Sequence, residues 1–147
     1  MASTTSRSAM FNQGTYYIVN RMLSSSGQKL ALTFNGENNT VTVTLINATN
    51  QAWAIRDYSD GKTQTVSPVS SPHLQIGMGS GVIKVLSPGG YVWTLRNTPS
   101  GATYVRSTIQ DGDVTVFWGL PEAQVDQAVG FGKEAANGNQ RWVMIPA

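Results

Sequence analysis

Gln51-Ala52-Trp53, Tyr91-Val92-Trp93 and Gln140-Arg141-Trp142 repeat one figure, a polar or aromatic residue, any residue, then Trp, at three places in a chain of 147 residues. The tryptophans stand 40 and 49 residues apart. A second landmark keeps the same rhythm: Gly61 and Gly101 each follow a repeat Trp by eight residues and open a Gly-x-Thr segment, as Gly14-Thr15 opens the first unit. The units so marked run over about 14–56, 61–96 and 101–145. Between the landmarks the hydrophobic signal has period two, in Thr40-Val41-Thr42-Val43-Thr44-Leu45, Gly81-Val82-Ile83-Lys84-Val85 and Asp113-Val114-Thr115-Val116-Phe117-Trp118. Gly, Asn, Ser, Pro or Asp-Gly bounds each run, which is the signature of short strands. The best helical stretch, Pro121–Val129, amounts to one or two turns, so the class is all-β. Units of about forty residues, with some four strands each, cannot bury a sheet face singly; they must share one core and close on one another. The expected architecture is a β-trefoil of three pseudo-repeats, each Trp plugging a common pseudo-threefold core. A Gln two residues before such a Trp can satisfy buried backbone groups with its amide. A β-sandwich is the competing architecture, and it has no need of threefold landmarks.

Composition narrows the function. With 10 Lys+Arg, 8 Asp+Glu, one His and no Cys, zinc sites and redox cysteines are excluded. A single domain of this size can hold its fold by burial alone, without staples. The sequence pI is near 9.1, but charged residues are 12% of the chain, the net charge is +2, and the cations are scattered. Nucleic acid is thereby disfavoured as a partner. No apolar run approaches the ~20 residues of a bilayer crossing, so membrane insertion is not expected. Residues 1–12 read as a flexible polar arm lacking a secretory apolar segment, ahead of one domain over 13–147. With no cysteine, the expected location is cytoplasmic. Two sequons, Asn38-Asn39-Thr40 and Asn47-Ala48-Thr49, then read as polar turns.

Catalytic chemistry finds no anchor. His73 stands alone in Ser-Pro-His, and the close carboxylate pairs, Asp57 with Asp60 and Asp111 with Asp113, sit beside Gly61 and Gly112, where turn formation explains them. No catalytic residue, metal ligand or cofactor is expected. The second repeat is different. It spans 32 residues from Gly61 to Trp93, against 39 and 41 in its neighbours, and holds five glycines between 77 and 90. Around these stand Tyr58, Met78, Leu86, Tyr91 and Val92, a shallow patch on which glycine lets a ligand approach the backbone. If Ile83 and Val85 point inward, Val82, Lys84 and Leu86 point outward; reversed parity would make Leu86 an ordinary core residue. Tyr91 replaces the repeat Gln and is too long to copy a buried amide, and Gly89-Gly90 before it would allow a bulge that turns it to solvent. Trp93 is either a core plug or a ring edge at the patch. Such a surface suits a sugar, whose C–H faces pack on rings while its hydroxyls meet small polar groups; a protein contact would use similar material.

A string of short motifs adds to this reading: Asn20-Arg21-Met22-Leu23-Ser24, Lys29-Leu30-Ala31-Leu32-Thr33, Gln51-Ala52-Trp53, Ser67-Pro68-Val69, Gln75-Ile76-Gly77, Tyr91-Val92-Trp93-Thr94-Leu95, Ile109-Gln110-Asp111-Gly112 and Arg141-Trp142-Val143. Over residues 13–145 the chain resembles the ricin-B-type β-trefoil lectins of mushroom fruiting bodies, and among them the nematotoxic inky-cap kind that recognises α1,3-fucosylated chitobiose. The resemblance implies a non-enzymatic lectin for GlcNAc-containing, core-fucosylated glycans of glycoproteins or glycolipids. It also implies a cytoplasmic store that defends a fungus against nematodes or insects. It places one sugar site in the second repeat, at Tyr58, Met78, Gly79, Leu86, Gly90, Tyr91, Val92 and Trp93. Met78 stands where the resembled family member has Trp, and Gly90 where it has Asn. With one site per chain, crosslinking requires multivalency, and a homodimer is the expectation from function. The alternative function is a β-trefoil protease inhibitor acting through surface loops.

Overall fold

The structure, a computed structural model, describes residues 11–97, 103–108, 115–133 and 138–147. Each repeat supplies four strands. The first gives β1 (Gly14–Asn20), β2 (Leu30–Thr33), β3 (Thr42–Leu45) and β4 (Ala52–Asp57). The second gives β5 (Gln64–Pro68), β6 (Gln75–Met78), β7 (Ile83–Leu86) and β8 (Thr94–Asn97), and the third β9 (Thr103–Thr108), β10 (Thr115–Gly119), β11 (Gly130–Gly132) and β12 (Trp142–Pro146). The outer two strands of each repeat form a ring: β1 pairs β4, β4 pairs β5, β8 pairs β9, β9 pairs β12 and β12 pairs β1, all antiparallel. Between β5 and β8 the ring closes through reciprocal bonds of Gln64 and Trp93, each N–H donating to the other's carbonyl at 2.8 Å. The inner strands make three hairpins, β2–β3, β6–β7 and β10–β11. The fold is a β-trefoil.

The threefold relation is written in hydrogen bonds. The Val41 N–H donates to the Ile83 carbonyl, Ile83 to Val129 and Val129 back to Val41, each at 3.0 Å, and all three residues are fully buried. The repeat tryptophans obey the same rule, because an acceptor offsets the cost of burying an indole N–H. Trp53 donates to the Leu32 carbonyl at 3.0 Å, Trp93 to Ile76 at 2.9 Å and Trp142 to Trp118 at 3.1 Å, tying the wall of each lobe to its hairpin. Trp118 is a fourth core indole that the repeat figure does not announce. Its ring meets Trp93 edge-on at 5.0 Å and Trp142 at 6.5 Å, filling the third lobe. The repeat glutamines act as expected. Gln51 donates from Nε2 to Thr44 Oγ1 (2.8 Å) and the Leu45 carbonyl (2.9 Å) and accepts the Ala48 N–H, while Gln140 reaches the Lys133 carbonyl at 2.8 Å.

Three expectations need correction. Pro121–Val129 makes no helix: its backbone turns at Asp126, which has φ of 69°, and the short 3-10 turn instead lies at Gly138–Gln140. The arm is held at its end, since the Phe11 carbonyl accepts from buried Gln64 at 2.6 Å and the Phe11 ring meets Tyr16 edge-on at 4.9 Å. A single buried amide thus binds Phe11 to the domain; residues 1–10 lie outside the described residues, as do Asp111 and Asp113. Trp93 is a core plug.

Candidate functional site

Parity on the β6–β7 hairpin decides what the second repeat presents. Its register pairs Gln75 with Leu86, Ile76 with Val85, Gly77 with Lys84 and Met78 with Ile83. Paired residues share a face. Ile76, Val85 and Ile83 are fully buried, so that face is the core, and Gln75, Gly77, Lys84 and Leu86 lie on the other, as the outward reading of Lys84 and Leu86 expects.

Tyr91 lies across this outer face. A Cβ built on Gly77 would stand 2.8 Å from Tyr91 Cγ and 2.9 Å from both Cδ atoms, nearly equal distances that place the ring face directly over the Gly77 backbone. The far end of the ring passes Gly89, whose Cβ would meet Cε2 at 3.0 Å. Gly90 produces this pose by taking φ of +74°, a left-handed conformation that a side chain disfavours. Beyond Gly90 stands Tyr58, 39% exposed, its hydroxyl 3.6 Å from where a Gly90 Cβ would be. Tyr58 is fixed by a tight turn in which its N–H donates to the Thr63 carbonyl (2.9 Å) and its carbonyl accepts from Gly61 (3.1 Å). On the other side the Lys84 stem lies over Gly79, whose Cβ would be 2.9 Å from Lys84 Cδ, while the Gly79 N–H donates to Val82. Two glycines at alternate positions therefore leave a trough that an aromatic ring and an aliphatic stem fill. Half-buried Leu86 and Gln75 continue it, with Gln75 Oε1 accepting the Gly89 N–H at 3.4 Å.

The structure thus brings Tyr58, Gly79, Leu86, Gly90 and Tyr91 to one surface, with half-buried Val92 at its margin. Two expected members belong elsewhere. Trp93 is 1% exposed, with its indole N–H and both backbone groups bonded inside the molecule, so its ring supports the surface from beneath. Met78 shares the face of Ile76 and Ile83 and packs half-buried against the core, because a strand alternates sides and Gly77 already occupies the outer place. Sequence reading missed Gln75 and gave Lys84 no role. The signal for Gln75 was available, since it stands two residues before Gly77 and must share its face.

Gly77→Ala tests the seat of the ring. The added methyl overlaps three Tyr91 atoms, so the half-buried ring must lift; we expect a stability loss of about 1 kcal/mol or less and a shift of the Tyr91 ring signals in NMR spectra, with distant resonances unchanged.

Several nearby polar groups serve turns and strand contacts. Asp60 Oδ1 accepts the backbone N–H groups of Lys62 and Thr63 at 2.9 Å each, and Oδ2 the Thr63 hydroxyl at 2.7 Å. These bonds, that of Lys62 foremost, hold its carboxyl below the usual carboxylate range. Asp57 Oδ1 accepts from Gln64 at 2.9 Å. The sequon residues Asn38 and Asn47 occupy left-handed turns, with φ of 67° and 79°. Among the described residues no group of three or more His, Cys, Asp or Glu could hold a metal ion, and no helix is long and apolar enough to cross a membrane.

A closed ring of strands under three hairpins, with the Gln-x-Trp figure kept in two lobes and broken by a surface tyrosine in the other, defines a β-trefoil of the lectin type. Residues 14–142 match the CCL2 lectin-like family, and the chain belongs to it. A search of curated protein sequences returns no significant match. Among solved structures the chain is similar to a mosquitocidal holotoxin, with TM-score 0.80 and 16% identity over 94% of this chain, which spans 18% of the holotoxin's length. It is similar to the designed three-fold symmetric protein ThreeFoil, with TM-score 0.72 and 16% identity over 91% of this chain and 99% of that one. The ricin B-like lectin of Macrolepiota procera, solved in complex with lactose, gives TM-score 0.71 and 16% identity over 94% and 99%. At these identities the likeness is one of fold.

Proposed function

We propose that this chain binds glycans, without catalysis, on the outer face of the β6–β7 hairpin. The observation that carries the reading is the pose of Tyr91, a ring laid over Gly77 at the surface where the first and third repeats bury Gln51 and Gln140. An apolar ring flanked by Tyr58, Leu86 and the Lys84 stem offers C–H contacts, and the Tyr58 hydroxyl and Gln75 amide meet hydroxyls. Membership of a lectin-like family supports this, as does the sugar complex of the Macrolepiota procera protein. The ligand class we favour is GlcNAc-containing glycan, including α1,3-fucosylated chitobiose, bound at about micromolar strength or weaker because the surface is shallow. The biological role we favour is fungal defence against nematodes or insects from a cytoplasmic store. With Met78 turned to the core, the rings available to a sugar are Tyr91 and Tyr58. A glycan array tests the reading: retention of GlcNAc-bearing structures is expected, and failure to bind any glycan overturns it.

Crosslinking of glycoprotein receptors requires two such surfaces, because the corresponding positions in the other lobes are filled by buried amides. We expect a homodimer. Light scattering at micromolar concentration would show twice the 15.8 kDa chain mass, and a strictly monomeric mass removes the dimer.

A further inference from the structure

The surface on the second repeat has a border supplied by the first. The turn between β2 and β3 docks on β7: the Asn38 N–H donates to the Val85 carbonyl at 2.7 Å, the Val85 N–H to Asn39 at 3.2 Å, and Thr40 bridges Lys84. The turn is also braced internally. Asn39 Nδ2 donates to the Asn35 carbonyl at 2.6 Å, and Asn35 Nδ2 donates to the Thr40 carbonyl at 3.0 Å and Thr42 Oγ1 at 2.8 Å. Glu37, exposed on this braced turn, is thereby set at the end of β7, where its Oε2 accepts the Ser87 hydroxyl at 3.0 Å, next to Leu86. One carboxylate oxygen is thus oriented by Ser87, on a backbone already fixed by Val85.

Sugar hydroxyls both donate and accept. The trough has the Lys84 ammonium as a donor and the Tyr58 and Tyr91 hydroxyls as donors or weak acceptors, and none of the side chains named for it is a carboxylate. Gln75 Oε1 takes the Gly89 N–H, both Asp60 oxygens are used in their own turn, and Gly90 has no side chain. A carboxylate accepts hydrogen bonds more strongly than an amide or hydroxyl, and it is pre-oriented here. We propose that Glu37 is a specificity-determining residue of the glycan surface: it accepts a hydroxyl hydrogen bond from a sugar resting against Leu86 and Tyr91, and it selects neutral saccharides over acidic ones. The inference rests on the lectin reading given above. The site is then shared between two repeats, with the apolar floor from the second and the acidic anchor from the first.

The test compares wild type, Glu37→Ala, Glu37→Gln and Tyr91→Ala on an array of neutral GlcNAc-, fucose- and galactose-bearing oligosaccharides and their sialylated counterparts, with a thermal melt of each protein. We expect Glu37→Ala to lose about tenfold in binding to neutral glycans with an unchanged melting temperature, since the backbone bonds of Asn38 and Asn39 to β7 remain. Glu37→Gln, which keeps an acceptor and drops the charge, should lose less and should raise sialylated relative to neutral binding severalfold. Glu37→Ala within twofold of wild type, while Tyr91→Ala abolishes binding, overturns the role of Glu37 and leaves the lectin reading standing. Equal losses in both Glu37 variants with an unchanged neutral-to-acidic ratio show a merely structural residue and overturn it too. Wild type silent on every glycan removes both readings.

Discussion

Trp53→Ala should cost the domain about 3–5 kcal/mol, a large fraction of the ~5–15 kcal/mol that holds a protein of this size together. Trp53 is fully buried, lies edge-on to Phe34 at a centroid distance of 6.4 Å, and is surrounded by β-strands that cannot collapse into the void it leaves. Truncation removes a large apolar area and leaves a cavity; both terms act in the same direction. It also orphans the Leu32 carbonyl that accepts the indole N–H at 3.0 Å, adding to the cost because the acceptor stays out of water. Trp53→Phe separates the two contributions, since it keeps much of the ring and loses the hydrogen bond; we expect it to be intermediate. Urea or guanidinium unfolding followed by far-ultraviolet circular dichroism reads both as shifts of midpoint at constant slope. A loss under about 1 kcal/mol in Trp53→Ala would mean that the repeat tryptophans do not share one core.

That experiment addresses the part of the molecule most legible in the sequence. An indole favours a deep apolar place with an acceptor for its N–H, so Trp at matching positions of three units implies three matching places in one core. Period-two runs then give strands, and three sets of four strands give a closed trefoil. The fourth indole, Trp118, was not legible because it stands where Leu32 and Ile76 stand in the other lobes; its role depends on which carbonyl receives Trp142. The side of Met78 was legible in principle. Ile76 and Met78 flank Gly77 as alternating core residues; nearness to the glycines between 77 and 90 gathers Met78 into the patch, whereas register returns it to the core. Trp93 could be placed only by its bonds, since repeat position and nearness to Tyr91 point opposite ways. The docking of Phe11 on Gln64 and of Glu37 on Ser87 joins residues 53 and 50 positions apart, and no local pattern encodes such contacts.

Tyr91→Ala should abolish glycan retention while leaving the fold intact, and this pairing separates a ligand surface from a piece of core. The half-buried ring rests on the outside of the β6–β7 hairpin, and no hydrogen bond of the barrel or of the Val41–Ile83–Val129 triangle passes through its side chain. Removing it uncovers Gly77 and one edge of Gly89, a change of area small beside the loss of a buried Trp, so stability should fall by about 1 kcal/mol or less. Binding should fall far more. A shallow site has few contacts, and an aromatic anchor at its centre typically carries about 2 kcal/mol or more, a roughly thirtyfold loss that takes micromolar binding beyond detection on an array. Val125→Ala is the matched control, an apolar residue 46% exposed in the third repeat and outside the trough, and it should bind as wild type does. Tyr91→Phe refines the result. The ring face over Gly77 is retained, so stacking survives; any further loss belongs to the phenol hydroxyl at the Gly89 end. If Tyr91→Ala, folded by circular dichroism, binds the same glycans as wild type, sugar recognition lies on another lobe, and the break of the Gln-x-Trp figure at position 91 has some other cause.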